Sequence, residues 1–278
     1  DPAERATMEE PQPVARPAPS RGRTVLVIED AERAGVHGLV VVSGGFGDSG
    51  PDGLELQARL VELVRRTGMR LVGPNALGVI NTAPEILMNA SLVTQMPPAG
   101  RVGFFSQSGA LGGSILERFR RRGLGLSTFV SAGNRADISG NDLLQYWIDD
   151  AETHAVGLYV ETMGNPRKFT RIARHLASSK PVIVVKSGTA MVGPASGYLT
   201  RPTAVRQEAF DAMLRQAGVI RAENIHQLFD IAQLVVHQPL PAGDRVAVVT
   251  NSDALSLSLI HISEPTRRTP ISYAVFCL

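Results

Sequence analysis

Arg101-Val-Gly-Phe-Phe105, then Ser106-Gln-Ser-Gly-Ala110 opening a helical run to about Arg122, then Leu126-Ser-Thr-Phe-Val130, is the stretch that decides the fold. Short, predominantly apolar segments of this length read as strands, and strands covered on both faces belong to parallel sheets. A parallel neighbour needs a crossover, which the intervening helix supplies. Arg118, Arg120, Arg121 and Arg122 crowd its last turn, where cations complement the negative end of the helix dipole. The same alternation continues downstream. A helix near residues 142–148, a strand over 156–160, a helix over 166–176, a strand over 182–185, a long loop and a helix closing at Gly218 follow in turn. This order predicts an α/β domain over residues 98–240, a flavodoxin-like parallel sheet with helices on both faces.

Working outward, Met96-Pro-Pro-Ala-Gly100 punctuates the chain and marks a domain boundary. Before it, Gly38-Leu-Val-Val-Val-Ser43 reads as a buried strand. A helix over residues 54–66 shows an apolar face of Leu54, Leu56, Leu60, Leu63 and Val64; Gly68 closes it ahead of a strand over 69–72. Residues 24–97 are therefore part of a doubly wound, Rossmann-like half whose first strand and glycine-rich turn are not visible upstream. After the predicted helix 225–236, Leu240-Pro-Ala-Gly243 and a strand over 245–250 start a third series, residues 241–256.

The two ends read differently. Residues 1–23, with Pro2, Pro11, Pro13, Pro17 and Pro19, show neither helical nor strand period and are expected to be disordered or out of frame. Residues 257–278 resemble a translated sequencing-library adapter, with Arg268, Thr269 and Pro270 across its variable index; they are expected to contribute nothing to folding, and His261 and Cys277 then carry no function.

With 278 residues and 44% hydrophobic content the chain can bury two cores. No apolar run approaches the roughly 20 residues that span a bilayer, and the start lacks a signal-peptide layout, so a cytoplasmic protein without membrane contact is expected. A net charge of +2 argues against nucleic acid as a partner. One cysteine excludes a disulfide framework or thiolate metal site, and no metal is expected.

Gly45-Phe-Gly47-Asp-Ser-Gly50 has the G-x-G-x-x-G spacing, but the next helix starts too late for a pyrophosphate and no carboxylate follows about 20 residues on, so it is set aside. Ser106, Gln107, Ser108, Gly109 and Ala110 join a strand to a helix start, a natural seat for an anion such as phosphate. A nucleophile elbow around Ser108 would require glycine at Ser106 and Ala110. Other segments recur at predicted strand ends: Gly73-Pro-Asn75 running to Asn81, Ser131-Ala-Gly133-Asn134 with Asp137, Glu161-Thr-Met-Gly164 and Lys186-Ser-Gly188. In a doubly wound sheet these ends face one crevice.

In sequence and order these segments resemble the NDP-forming acyl-CoA synthetases, relatives of the succinyl-CoA synthetase alpha subunit, from about Ile28 to Ala254. The resemblance implies a first domain for coenzyme A or acyl-CoA, with Gly73, Pro74 and Asn75 on that side. It also implies a second domain in which Ser106, Gln107, Ser108, Gly109, Ala110, Gly133, Asn134 and Asp137 bind a phosphate-bearing ligand. ATP or ADP would be handled by an ATP-grasp domain beyond this chain. The family relays phosphate through a histidine oriented by a carboxylate, which Glu161 matches; Leu199 or Thr200 stands in that histidine's place. Ala76 replaces the cysteine usual after Pro-Asn. Such losses resemble the synthetase-like region of bacterial GNAT-type protein acetyltransferases. The expectation is therefore a ligand-binding regulatory region of such an enzyme; the alternative is a subunit or fragment of an ADP-forming acyl-CoA ligase. Homo-oligomerisation is compatible with either. The remaining histidines, His37, His154, His175, His226 and His237, fall beside predicted strands or in helices and read as surface or packing residues.

Overall fold

A computed structural model describes residue 31, residues 33–162, 164–187 and 207–240, with Gly243 and Ser252. Residues 1–23 and 257–278, Gly188, Leu199 and Thr200 lie outside the described residues, as does nearly all of the third series. The elements run β1 (Gly38–Val40), α1 (Pro51–Thr67), β2 (Arg70–Val72), β3 (Gly78–Asn81), β4 (Met88–Ser91), β5 (Ala99–Ser106), α2 (Gly109–Arg121), β6 (Leu126–Ser131), α3 (Gly140–Asp149), β7 (Ala155–Val160), α4 (Pro166–Ala177), β8 (Val182–Lys186), α5 (Gln207–Gln216), β9 (Ile220–Ala222) and α6 (Ile225–His237). All belong to one unit that ends at Gln238; a second unit begins at Pro239.

The larger sheet has the order β4-β3-β6-β5-β7-β8-β9. Strands β6, β5, β7, β8 and β9 are parallel, whereas β3 pairs antiparallel with both β4 and β6. Every residue of β6 and β7 is buried; β7 accordingly reads as an apolar run, while β6 also buries Ser127, Thr128 and Ser131. Successive residues still point to opposite faces. Phe105, Val130, Leu158 and Val184 meet Leu144 and Trp147 of α3, Phe169, Ile172 and Leu176 of α4, and Phe210 and Leu214 of α5. On the other face Phe104, Phe129 and Ile183 meet Ile115, Leu116 and Phe119 of α2 and Leu228, Phe229 and Ala232 of α6. There Phe119 contacts Phe104 and Phe229 edge to face, with centroids 5.4 and 4.9 Å apart, a geometry worth about 0.5–1.5 kcal/mol per pair beyond burial.

The helices start where their sequences provide caps. Asn165 accepts from the Lys168 amide at 3.0 Å and Pro166 pre-sets the first turn of α4. The Asp142 carboxylate reaches back to the Ser139 amide at 3.0 Å at the start of α3.

The parallel α/β reading holds, with four differences, the first being that the stretch Gly38–Ser43, read as a buried strand, is a strand only over Gly38–Val40, with none of those three residues buried. Strands β3 and β4 form an antiparallel edge on the larger sheet although they precede the Met96–Gly100 punctuation. Strand β9 is a further parallel strand of only three residues. Helix α1 begins at Pro51 rather than at 54, because proline suits the first turn of a helix and Gly50 caps it. Strands β1 and β2 make a separate two-stranded parallel sheet, over which α1 packs Leu60, Leu63 and Val64 against Leu71.

Candidate functional site

The register of the larger sheet sets its carboxyl ends side by side: Ser106 lies opposite Ser131 and Tyr159, and Val160 opposite Lys186. The segments after β5, β6, β7 and β8 therefore open on one edge, where open α/β sheets bind ligands. The loop after β2 is brought to the same edge. Gly73 and Pro74, joined by a cis peptide, offer their carbonyls to the Ala136 and Asn134 amides, each at 2.9 Å, and the Asn75 amide donates to Ser43 O at 2.9 Å. At Gly133, with φ of 51°, a Cβ would lie 2.1 Å from Asn75 O, so the two loops meet this closely only with glycine there.

Ser106 is buried and its Oγ donates to Ser108 O at 2.9 Å, while Ser108 caps α2 by accepting from the Leu111 amide at 3.4 Å. The Gln107 side chain turns the other way: Oε1 accepts from the amides of Glu161 and Thr162 at 2.9 and 3.0 Å, and Nε2 donates to Thr162 Oγ1 at 3.1 Å. Ser106 and Gln107 thus shape the turn. The groups left for an anion are the first-turn amides of Gly109 and Ala110, which no helix can satisfy internally, with Ala110 exposed.

Asn134 and Asp137 are also tied inward. Asn134 Nδ2 donates to Asp48 Oδ1 at 3.0 Å and Gln57 Oε1 at 2.9 Å. Asp137 accepts from Arg70 Nε and the Leu71 amide, both at 2.9 Å. Of these two residues, read as facing a ligand, Asp137 ties the loop after β6 to β2, and Asn134 ties it to Asp48 and to α1. Asp48 and Gln57 are their unforeseen partners. Asp48 accepts from the amides of Gly45 and Phe46 and Gln57 from that of Gly47, so the amides of the glycine-spaced loop are occupied internally, which supports setting aside the dinucleotide reading. The glycines of this loop marked a turn, but neither Asp48 closing on amides two and three residues back nor the reach of Asn134 across the molecule was legible.

Burial alone raises the Asp48 carboxyl, but hydrogen bonds from Asn134 and from backbone amides, Gly45 and Phe46 among them, more than offset it and hold the group below its ordinary 3.8. A depressed carboxylate contributes stability above its unfolded value and loses it as pH falls through the lower folded one. Asp48→Asn is expected to cost about 1 kcal/mol near pH 6, a figure kept low for solvent access. Thermal melts of both proteins should converge as pH drops below 3.8. A gap that persists unchanged to pH 2.5 (about one unit lower) contradicts this assignment.

Glu161 sits at the mouth of the crevice. Desolvation raises its carboxyl, and the Arg135 charge opposes that in part. Arg135 was not singled out by sequence, where nothing marks it as adopting a left-handed backbone, φ 54°. Its guanidinium donates through Nη1 to Thr162 O at 2.9 Å and through Nη2 to Thr162 Oγ1 at 2.5 Å. The Lys186 ammonium lies 5.0 Å over the Phe210 ring. His154 contacts Arg101, His226 contacts Arg118, and His237 Nδ1 lies 2.9 Å from Gln233 O. Among the described residues no three His, Cys, Asp or Glu side chains are grouped to hold a metal, and no helix is long and apolar enough to cross a membrane.

Residues 99–235 match the family described as the succinyl-CoA ligase like flavodoxin domain. The matched segment comprises β5 through most of α6 and provides most of the crevice. The chain is 42% identical to an ADP-forming acetate–CoA ligase I of Archaeoglobus fulgidus, over 81% of this chain and 32% of that protein. It is 37% identical to the alpha subunit of ADP-forming acetate–CoA ligase II of Pyrococcus furiosus, over 81% of this chain and 49% of that subunit. Among solved structures it resembles the dinucleotide-forming acetyl-coenzyme A synthetase 1 of Ca. Korarchaeum cryptofilum in complex with phosphate and ADP, with 31% identity, a TM-score of 0.78, and coverage of 85% of this chain and 51% of that one. The chain spans between about a third and a half of the length of these relatives. Relatives that are ligases favour the ligase alternative over the acetyltransferase reading, for which they offer no support.

Proposed function

We propose that this chain is the CoA- and phosphate-binding region of a protein built like an ADP-forming acyl-CoA ligase, of the alpha-subunit type, in which the histidine relay of phosphate has been lost. The observation that supports it best is the convergence, beside the α2 start, of the Gly73–Asn75 loop, the Gly133–Arg135 loop and the Glu161–Thr162 turn. In this reading an anionic phosphoryl group is held by the first-turn amides of Gly109 and Ala110 and the Ser108 cap, facing the Glu161 carboxylate. Gly73, Pro74 and Asn75 face the coenzyme. Bound coenzyme A supplies the thiol of the thioester. Nucleotide chemistry belongs to a separate ATP-grasp partner, and the protein works in the cytoplasm. A second reading, the sensor region of a GNAT-type acetyltransferase, draws on the absence of histidine between His175 and His226.

Calorimetric titration of the full chain with inorganic phosphate is expected to show saturable binding that Ala110→Glu abolishes, since a carboxylate at an exposed helix start repels the anion without entering the core. Phosphate heats that are absent, or equal in both proteins, count against the site.

A further inference from the structure

The left-handed backbone at Arg135 is the observation to explain. Two residues earlier the same loop turns at Gly133, where glycine is free to do so, yet at φ 54° the chain carries a long cationic side chain. Such outliers persist where surrounding contacts hold them in place. Here the Arg135 amide donates to Ala132 O, and the neighbouring Asn134 is bound to Pro74, Asp48 and Gln57, so the root of the arginine is fixed. Its tip is fixed as well, on the carbonyl and hydroxyl of Thr162. From the opposite side Gln107 holds the amides of Glu161 and Thr162 and donates to the same hydroxyl. The turn after β7 is thus gripped from the loops after β5 and β6 together.

We propose that Arg135 is a positioning residue, which with Gln107 clamps the Glu161–Thr162 turn so that the Glu161 carboxylate is presented at a fixed place beside the α2 start. Its purpose rests on the reading of the crevice as a phosphoryl site; the clamp itself does not. A bidentate guanidinium suits the task because it fixes direction as well as charge, which an ammonium cannot do. Arg135 also acts electrostatically on Glu161, and Tyr159 is a further titratable group coupled to that carboxylate.

The test uses the full chain, Arg135→Gly and Arg135→Lys. The glycine variant suits the left-handed backbone, so loss of the side chain is separated from backbone strain. Carboxyl-carbon NMR, assigned with Glu161→Gln, follows the Glu161 titration, and amide hydrogen exchange follows Thr162. In Arg135→Gly the Glu161 midpoint is expected to move upward and Thr162 exchange to speed up about tenfold while the melt stays cooperative. Arg135→Lys is expected to restore the midpoint but not the protection of Thr162. An unchanged midpoint and unchanged protection in Arg135→Gly overturn the clamp. If the glycine variant does not fold, full protection of Thr162 in Arg135→Lys overturns it. Adding inorganic phosphate to the wild-type chain separates the two readings: no movement of the Gly109 and Ala110 amide signals removes the anion site while the clamp results stand.

Discussion

Incubated with acetyl-CoA and radiolabelled phosphate, or with labelled ATP and an ATP-grasp partner, the protein is expected to take up no acid-labile, base-stable label. A phosphoryl relay needs a nucleophile with a lone pair available near neutral pH, and imidazole, with an unperturbed pKa of about 6.5, meets that need. The resemblance to the acyl-CoA synthetases puts that imidazole in the segment after Lys186, where the chain has Leu199 or Thr200 and no histidine until His226. Leucine offers no nucleophile. A threonine hydroxyl requires a base, and Glu161, the carboxylate that the resemblance places nearby, is the one it assigns to orienting the absent imidazole. His154, His226 and His237 are engaged with Arg101, Arg118 and Gln233. The expected effect is complete: background label against stoichiometric label on a histidine-bearing relative run in parallel. Stoichiometric phosphohistidine on this chain would refute the loss of the relay.

Trp147→Ala is expected to be the most destabilising single substitution among those considered, by about 3–5 kcal/mol. Trp147 is fully buried between α3 and the larger sheet, and its Nε1 donates to Thr128 Oγ1 at 2.8 Å. A Cβ on Gly103 would lie 2.5 Å from the indole, so the ring lies directly on the backbone of β5. Removing it leaves a cavity beside the strand that leads into Ser106 and strips Thr128 of a partner. For a chain of this size the melting temperature should fall by about 10 °C or more. Gly103→Ala alone should destabilise by overpacking, about 1–3 kcal/mol, and much less so in a Trp147→Ala background. Additive losses in the double variant would contradict direct packing of the indole on Gly103.

The alternation of helices and buried strands was legible because a strand covered on both faces is predominantly apolar, as Val102–Phe105 of β5, Ala155–Val160 of β7 and Val182–Val185 of β8 are. Strands β3 and β4 escaped notice for the opposite reason. Met88-Asn-Ala-Ser91 is polar, short and on an edge, and its order comes from pairing with β3 rather than from any local pattern. In the crevice, the helix start and the Gly73–Asn75 loop could be read because strand ends and glycines mark them. The ties that shape it, Asn134 to Gln57, Asp137 to Arg70 and Arg135 to Thr162, join residues 77, 67 and 27 positions apart. One chain's residue types do not encode such pairings, so Asn134 and Asp137 read as ligand-facing when their side chains serve as fasteners.

The β3–β4 edge bears on where this protein can be cut. The family match begins at residue 99, beyond both strands, yet β3 pairs along four residues of β6 and the Thr82 amide extends the contact to Ser127 O. A piece started at the family boundary would expose that flank of β6 as a row of unpaired amides and carbonyls above an apolar core, the kind of surface that recruits strands from other molecules into aggregates. A piece that keeps that flank paired therefore has to begin before Gly78, ahead of the boundary of the family match.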